Sequence, residues 1–341
     1  MVSSHTGEQQ RARELTEQCL TLAQSVQDST LLLASYAMLA VNLFHLGELV
    51  PAQEHFEQGM AHCAPQQHRS HALLYGLDPG VVCLSFAAWA LWHLGYPDQA
   101  LKRSQEALTL AQEIAHPVHL GFAHFFAAAL HQCRREAQAT QERAEAVITL
   151  ATVTDQEFTN FLAQGTVLRG WALAAQGQGK EGLAQIRQGL TAHQATGAKV
   201  GQPHFLALLA EAYGKTDQVE TGLSMLAEAL TTVDKTGERV DEAELYRLKG
   251  ELTLQQAKVQ GPKSKVEKEA EECFLKAIAI AHRQQAKSWE LRATISLSRL
   301  WQKQGKRKEA RQMLAEIYEW FTEGFDTKDL QEAKALLKEL S

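Results

Sequence analysis

Cysteine pairs, long apolar runs and an excess of positive charge are all missing from this sequence. Its five cysteines are an odd number among 341 residues and include no CxxC pair, a usage that fits a reducing compartment better than a disulfide framework. No apolar run approaches the roughly 20 residues that span a bilayer, and the N-terminal string MVSSHTGEQQRARELTEQ has no signal-peptide core. We therefore expect a cytoplasmic protein that makes no membrane contact.

The charge balance argues against a nucleic-acid partner. Lysine and arginine number 34 against 40 aspartates and glutamates, which gives a net charge of −6 and a pI near 6.2. Non-specific binding to nucleic acid is built on positive surfaces. A basic run between Lys303 and Arg311 is interrupted by Glu309, so we interpret it as a solvated turn.

The residue spacings that would indicate an enzyme, a cofactor site or a metal site are also missing. A GKT string at 214–216 matches the end of the phosphate-binding GxxxxGK[ST] loop, but Leu209 stands where the first glycine belongs. Cys63, His68 and His71 lack the paired spacing of a closed zinc site. No nucleophile, base or carboxylate pair has a spacing that requires catalysis. We expect no catalytic residue, no cofactor and no metal.

The dominant positive feature is a recurring pair of small residues. A small residue is followed twelve positions later, or twenty in one case, by a second small residue that opens a small-x3-bulky-x2-small run. Spacings of four and three place these positions on one face of a helix, and small residues let two antiparallel helices cross closely. The first small residues of the six units are Ala40, Ala88, Gly170, Ala210, Gly250 and Ser298. The sequence therefore predicts a row of helical hairpins, with a weaker unit between the second and the third.

We predict an all-α, right-handed α-solenoid of about seven hairpins in a single domain, residues 1–341. Residues 8–26 form a leading half-unit, 30–325 the repeats and 327–340 a C-terminal capping helix. The predicted helix pairs are 30–46 with 51–62, 80–94 with 98–114, 118–134 with 138–153, 159–176 with 180–195, 203–214 with 218–234, 240–257 with 267–285, and 288–304 with 307–323. Two stretches, 62–80 and 259–268, interrupt the rhythm and are expected to project from the array.

Glycines are predicted to end the first helix of most pairs in the left-handed conformation. These glycines are Gly47, Gly95, Gly177, Gly214 and Gly305.

The hairpin pattern resembles the tetratricopeptide repeat, with a period of about 40 in place of the usual value of about 34. Longer strings, among them LAQGTVLRGWALAAQGQG and EAELYRLKGEL, are similar to the C-terminal region of large bacterial proteins that join a nucleotide-cyclase domain and an AAA-like ATPase to such repeats. The resemblance runs from roughly Leu31 to Leu340. It implies a sensor or scaffold segment of a bacterial cytoplasmic signalling protein.

In tetratricopeptide superhelices the first helix of each pair lines a concave groove, so the resemblance implies a binding site there. The groove residues that we predict are Phe44, Trp89, Trp92, Trp171, Arg247, Glu251, Arg292 and Arg299. They are aromatic toward the N-terminus and charged toward the C-terminus, which favours a partner with an apolar anchor and an acidic end. A second interpretation stays open, in which the tryptophans pack between helices and the arginines pair with Glu211 and Glu251.

The function that we predict is non-catalytic binding of a peptide, a protein or a small ligand. One alternative is the effector domain of a transcription regulator that recognises a small metabolite. Another is a purely structural oligomerisation arm.

Overall fold

The computed structural model describes residues 7–63, 76–153, 159–256 and 263–341. Within these ranges all regular structure is helical. The helices are α1 Gly7–Val26, α2 Ser29–His45, α3 Leu49–Ala61, α4 Pro79–Leu94, α5 Pro97–Ile114, α6 Pro117–Cys133, α7 Ala137–Val153, α8 Thr159–Ala175, α9 Gly179–Ala195, α10 Gln202–Lys215, α11 Val219–Thr236, α12 Glu242–Gln256, α13 Lys263–Gln284, α14 Lys287–Lys303, α15 Arg307–Trp320 and α16 Lys328–Glu339.

Each predicted pair of helices is present, and its two members pack against one another. The all-α solenoid is confirmed. Helix α1 packs on α2 and helix α16 on α14 and α15, at the places where the half-unit and the cap were expected. Of the two predicted projecting stretches, residues 64–75 of the first and 259–262 of the second lie outside the described residues. Residues 263–268 do not project as an insertion but form the first turns of α13.

Backbones cross most closely at the small residues of α8 and α9. A Cβ atom added to Gly182 would lie 2.5 Å from the carbonyl oxygen of Gly170 and 2.6 Å from the backbone nitrogen of Ala174. A Cβ on Gly189 would lie 2.6 Å from the carbonyl oxygen of Ala163. Only a residue without a side chain fits these crossings, as the spacing of small residues predicts.

Four of the five glycines predicted to end a helix do so with positive φ, and one does not. Gly47, Gly95, Gly177 and Gly305 have φ angles of 77°, 94°, 91° and 81°. The prediction for Gly214 is wrong, because α10 continues to Lys215 and Asp217 takes the left-handed conformation at φ 58°. Gly214 serves packing instead, since a Cβ there would lie 2.5 Å from Leu252 Cδ2.

The solenoid closes on itself, because its last hairpin and the segment after it reach back to the second hairpin. The rings of Trp92 on α4 and Trp289 on α14 meet edge to face with centroids 4.8 Å apart. Ser288 Oγ donates a hydrogen bond to the Trp92 carbonyl oxygen at 2.5 Å. These contacts bridge residues that lie almost two hundred positions apart in the sequence.

The segment after α15 caps the N-terminus of α5. The carboxylate of Glu323 accepts hydrogen bonds from the backbone N–H groups of Asp98 and Gln99 at 2.9 and 3.1 Å. The Asp98 carboxylate in turn accepts one from the Gly324 N–H at 3.1 Å. A carboxylate is favourable at this end of a helix because the first N–H groups and the helix dipole are positive there.

A second set of closing contacts joins the first hairpin to the turns around α12 and α13. The Arg239 N–H donates to the His45 carbonyl oxygen at 2.7 Å. Gln284 Nε2 donates to the Arg239 carbonyl oxygen at 2.7 Å, and a Cβ on Gly47 would collide with the Gln284 side chain. The inner helices therefore surround an enclosed space rather than an open groove.

Replacing Gly182 with alanine tests the close crossing. In an ordinary helix interior this change stabilises by roughly 0.5–1 kcal/mol, but here the new methyl group enters backbone space and should destabilise by about 1–3 kcal/mol. Urea unfolding followed by circular dichroism measures the difference. Gly179→Ala is the matched control, because its Cβ would meet only the Thr216 methyl group at 3.2 Å. If Gly182→Ala is as stable as that control, the helices do not cross as described.

Candidate functional site

A cavity of about 350 Å³ opens on the inner faces of α8, α10, α12 and α14. Its lining includes five basic side chains and six carboxylates. The basic residues are Arg135, Lys215, Arg247, Arg292 and Arg299, and the acidic residues are Glu211, Asp241, Glu244, Glu251, Asp329 and Glu332. We call this space the central cavity. Its charges are almost balanced.

Arg247 is the main cation on the wall formed by α12. It makes a two-pronged ion pair with Glu244, with both N···O distances 2.7 Å, and its Nη1 lies 3.6 Å from Glu251 Oε1. Burial lowers the pKa of Arg247. The negative charge of Glu244, its hydrogen bonds with Arg247 and the negative charge of Glu251 raise that pKa by more, so the net shift is upward. The guanidinium is therefore a fixed positive charge.

Glu211 on α10 is a fixed negative charge on the same side. Its carboxylate accepts a hydrogen bond from Trp171 Nε1 at 3.0 Å and pairs with Lys215 Nζ at 2.7 Å. Burial raises the pKa of Glu211, but Lys215 and the Trp171 N–H lower it more, so the net shift is downward. Trp171 thereby links two neighbouring inner helices.

Arg292 lies on the opposite side of the central cavity, and it also takes part in the Trp92–Trp289 contact that closes the solenoid. Its guanidinium carbon lies 5.1 Å from the Trp92 ring centroid and 5.0 Å from that of Trp289. Arg292 Nε donates to Asp329 at 2.8 Å, and Nη2 donates to the Cys133 carbonyl oxygen. Only 9% of Arg292 is exposed, so these partners surround its side chain.

Arg135 extends this group toward the cap. Its Nη1 lies 3.1 Å from Asp329 and 2.9 Å from Glu332. Burial lowers the pKa of Arg135, while Asp329 and Glu332 raise it more, so the net shift is upward. The α6–α7 turn is in this way fastened to α16.

Two charges of the cavity are held less firmly than the others. Half of the Arg299 side chain is exposed, and its closest carboxylate, Glu332, is 3.4 Å away. The Glu251 side chain is 41% exposed, and it accepts a hydrogen bond from Ser296 Oγ at 2.6 Å. These two side chains, on neighbouring helices, are the charges most open to a ligand.

Five of the eight predicted groove residues line the central cavity. They are Trp171, Arg247, Glu251, Arg292 and Arg299. The other three do not line the central cavity, because Phe44, Trp89 and Trp92 are packed between helices with 0%, 8% and 2% of their surface exposed. Helix α14 covers Trp92 in the closed solenoid, and Phe44 stacks on Trp89 at 5.5 Å. The role of the remaining five in binding stays a prediction.

Sequence reasoning missed several charged residues of the cavity, chiefly Arg135, Glu244, Asp329 and Glu332. Glu244 lies on the inner face of α12, three residues before Arg247, so the helical spacing pointed to it. The others lie in a turn and in the capping helix, and only the closure brings them to the cavity.

A family model described as Tetratricopeptide repeat matches residues 81–102, 163–188 and 291–316. These three segments are similar to tetratricopeptide repeats. The segments 81–102 and 291–316 begin on α4 and α14, the helices of the closing contact. The segment 163–188 covers most of α8 and much of α9. These repeats therefore supply both the closure and one wall of the central cavity.

Solved structures show a similar fold at low sequence identity. A Rap protein complexed with Competence and Sporulation Factor is 11% identical, and the likeness covers 99% of this chain and 97% of that one at a TM-score of 0.60. The human IFIT1 dimer with m7Gppp-AAAA is 16% identical, with 91% and 64% covered at a TM-score of 0.54. No curated protein matches the sequence of this chain. At such identities the likeness concerns the fold alone.

Asp241 is buried between two histidines where the central cavity meets the core. Its oxygens lie 3.9 Å from His93 Nε2 and 3.5 Å from His204 Nδ1. Burial raises the pKa of Asp241, but the nearby imidazoles of His204 and His93 lower it more, so the net shift is strongly downward. No cluster of three or more histidine, cysteine or acidic side chains in the described ranges, these three residues included, is arranged to hold a metal ion. Among the same residues no helix is long and apolar enough to cross a membrane.

Removing the charge of Arg292 should open the solenoid. Arg292→Gln removes one of the two guanidinium partners of the buried Asp329, which keeps Arg135, so we expect a loss below the roughly 3–5 kcal/mol that breaking a buried pair outright costs. Urea unfolding measures the stability, and small-angle X-ray scattering should show a larger radius of gyration. Arg299→Gln is the matched control, because half-exposed pairs contribute less than about 1 kcal/mol. Equal stability and equal size of the two variants would contradict the closing role of Arg292.

The lowered pKa of Asp241 predicts a loss of stability in acid. A carboxylate with a depressed folded-state pKa contributes stability above its ordinary pKa of about 3.9, and that contribution is lost as the pH falls below it. The difference in unfolding free energy between the wild type and Asp241→Asn should therefore narrow between about pH 5 and pH 3. The exposed Asp234→Asn variant should keep the wild-type profile. A gap that stays constant over this range would contradict the charge assignment.

Proposed function

We propose that this chain is a non-catalytic binding module that takes a short peptide, or a peptide segment of a protein partner, in its central cavity. The observation that carries the proposal is the cavity itself, about 350 Å³ in volume and lined by the inner helices of successive repeats. Its volume lies within the range of roughly 300–1,000 Å³ that is typical of ligand pockets.

The charges of the cavity support a peptide that carries both an acidic and a basic group. Arg299 can pair with a carboxylate of the ligand, because its side chain is half-exposed and its ion pair with Glu332 is a long one, at 3.4 Å. Glu251, also partly exposed, can accept an ammonium or guanidinium group of the same ligand. A peptide with both charges satisfies both residues at once.

The same charges speak against a nucleic-acid ligand. The IFIT1 structure contains a capped RNA, but a phosphate chain requires a surplus of positive charge. Here carboxylates outnumber basic side chains in the cavity, and the whole chain carries a net charge of −6.

The cellular context that we propose is a bacterial cytoplasmic signalling system. Two lines support it: the likeness of the longer sequence strings to bacterial ATPase and cyclase proteins, and the Rap protein, which carries Competence and Sporulation Factor in a fold similar over 99% of this chain. In this context the chain is the sensor or scaffold part, and any catalysis belongs to other domains or partners.

A small metabolite is a second candidate for the same cavity, because its volume lies at the lower end of the range for small-molecule sites. A metabolite raises the melting temperature of the protein with no other partner present. Thermal-shift screening of metabolite mixtures, with no peptide present, therefore distinguishes a metabolite ligand from a peptide ligand.

Selection from a phage-displayed library of random peptides tests the peptide proposal. We expect enriched sequences to carry both an acidic and a basic residue, and calorimetry on one synthetic peptide gives its affinity. Arg299→Ala and Glu251→Ala should each weaken binding about tenfold, the loss expected for one charge-assisted contact. Arg11→Ala is the matched control, since the Arg11 side chain is 69% exposed on α1 and lies outside the cavity.

Two outcomes would contradict the proposal. One is a selection that enriches no sequence. The other is a peptide whose affinity is the same for the wild type, both cavity variants and the control.

A further inference from the structure

A second cavity lies beside the central one, and its lining is of a different kind. It has a volume of about 230 Å³ and is bounded by α4, α6, α8, α10 and the loop between α11 and α12. Aromatic rings from the four helices line it, including Phe86, Trp89, Phe122, Phe126, Phe161 and Phe205. Val200, 49% exposed, stands among its lining residues. We call this space the aromatic cavity.

The aromatic rings of this cavity are held in place by one another. Phe86 and Phe126 have centroids 4.4 Å apart, and Trp89 meets Phe126 edge to face at 5.3 Å. On the other side Trp89 meets the His204 ring at 5.6 Å. A preformed aromatic lining of this kind offers ring faces to a ligand without a cost of rearrangement.

The loop between α11 and α12 supplies two carboxylates to the aromatic cavity. Glu238 and Asp241 are only 4% and 5% exposed. The Glu238 oxygens accept hydrogen bonds from the Gly201 N–H at 3.0 and 3.2 Å, and His45 Nδ1 lies 3.3 Å from Glu238 Oε1. The lowered pKa of Asp241 keeps that group ionised.

Nothing of permanent positive charge balances these carboxylates within the lining. Among the described residues that border the aromatic cavity there is neither a lysine nor an arginine, and its other titratable groups are His45 and His204. The central cavity, by contrast, carries five basic side chains. His204 and Asp241 border both spaces, so the two cavities share a wall but differ in charge.

We propose that the aromatic cavity binds an organic ammonium ion with an apolar, ring-sized body. This ligand is additional to the peptide of the central cavity and does not depend on it. A positive charge is attracted both to aromatic ring faces and to a carboxylate, and the attraction is stronger in a desolvated site. An anion would meet two carboxylates there, and a neutral ring would gain only from burial.

The volume of the cavity sets the size of the ligand. In another protein, an engineered apolar cavity of about 150 Å³ holds one benzene ring. A space of about 230 Å³ therefore has room for a ring system with a short alkylammonium arm.

Three indoles that differ in charge test the proposal on the unaltered protein. Tryptamine is a cation at neutral pH, indole-3-ethanol is neutral and indole-3-propionate is an anion, while the ring is the same in all three. By isothermal titration calorimetry we expect tryptamine to bind at least about tenfold more tightly than indole-3-ethanol, and indole-3-propionate most weakly. Equal affinity for the cation and the neutral indole, or no binding of tryptamine, would overturn the proposal.

Variants locate the binding. Glu238→Gln should reduce the preference for tryptamine over indole-3-ethanol, and Phe161→Ala, at the half-buried edge of the lining, should weaken tryptamine binding about tenfold. Glu251→Gln is the matched control, because Glu251 borders only the central cavity and not the aromatic cavity.

Circular dichroism checks that each variant is folded. If Glu238→Gln does not fold, the charge series on the unaltered protein decides whether the proposal holds. Loss of tryptamine binding in Glu251→Gln alone would place the ligand in the central cavity and refute the assignment.

Discussion

The position of Arg292 between two tryptophan rings is the contact on which the closed form of the solenoid depends. Taking a guanidinium out of water costs several kcal/mol, and here the cost is offset by Asp329, by the Cys133 carbonyl oxygen and by the faces of Trp92 and Trp289. These partners come from α4, α6, α14 and α16, so one side chain holds together helices that are distant in sequence. Ser288, Glu323 and the Arg239 backbone reinforce the closure at other points.

Closure also decides which residues of the inner helices remain available to a ligand. Trp89 and Trp171 occupy the same position of their repeats, one residue after the small residue, and each uses its indole N–H to contact a later inner helix. Trp89 Nε1 donates to Cys133 Sγ at 3.4 Å, and Trp171 Nε1 donates to Glu211 at 3.0 Å. Their neighbours differ, because Trp89 packs against Phe44 and Phe126 and borders the aromatic cavity, whereas Trp171 borders the central cavity. Equivalent positions of a repeat are therefore not equivalent positions of a binding site.

The helical hairpins and part of the central cavity can be predicted from the sequence, whereas the contacts between distant repeats cannot. The helical hairpins follow from contacts within a repeat, such as Gly170 against Gly182, and local spacing is enough to predict them. The same spacing led to Trp171, Arg247, Glu251 and Arg299, which lie on the inner helices α8, α12 and α14. It did not show that Phe44 and Trp89 pack between neighbouring hairpins instead of lining the central cavity. It also did not show that α14 covers Trp92, and it missed Arg135 and Asp329, because these surroundings depend on the small rotations between repeats summed along the array. Gly214 failed for a different reason, since a glycine near a helix end serves either a left-handed turn or a close side-chain contact, and the sequence does not distinguish the two.

The arrangement of charge follows from the same geometry. Residues on the concave side of a closed array lie opposite one another across a narrow space. Burying an unpaired charge there would therefore cost free energy. Pairing across repeats avoids this, as Arg135 does with Asp329 and Glu332. The aromatic cavity departs from that rule, because Glu238 and Asp241 have backbone and histidine partners but no lysine or arginine within the described lining. The wall shared by the two cavities therefore faces nearly balanced charge on the side of the central cavity and carboxylates without lysine or arginine on the other side, so the two spaces present different potentials to a ligand.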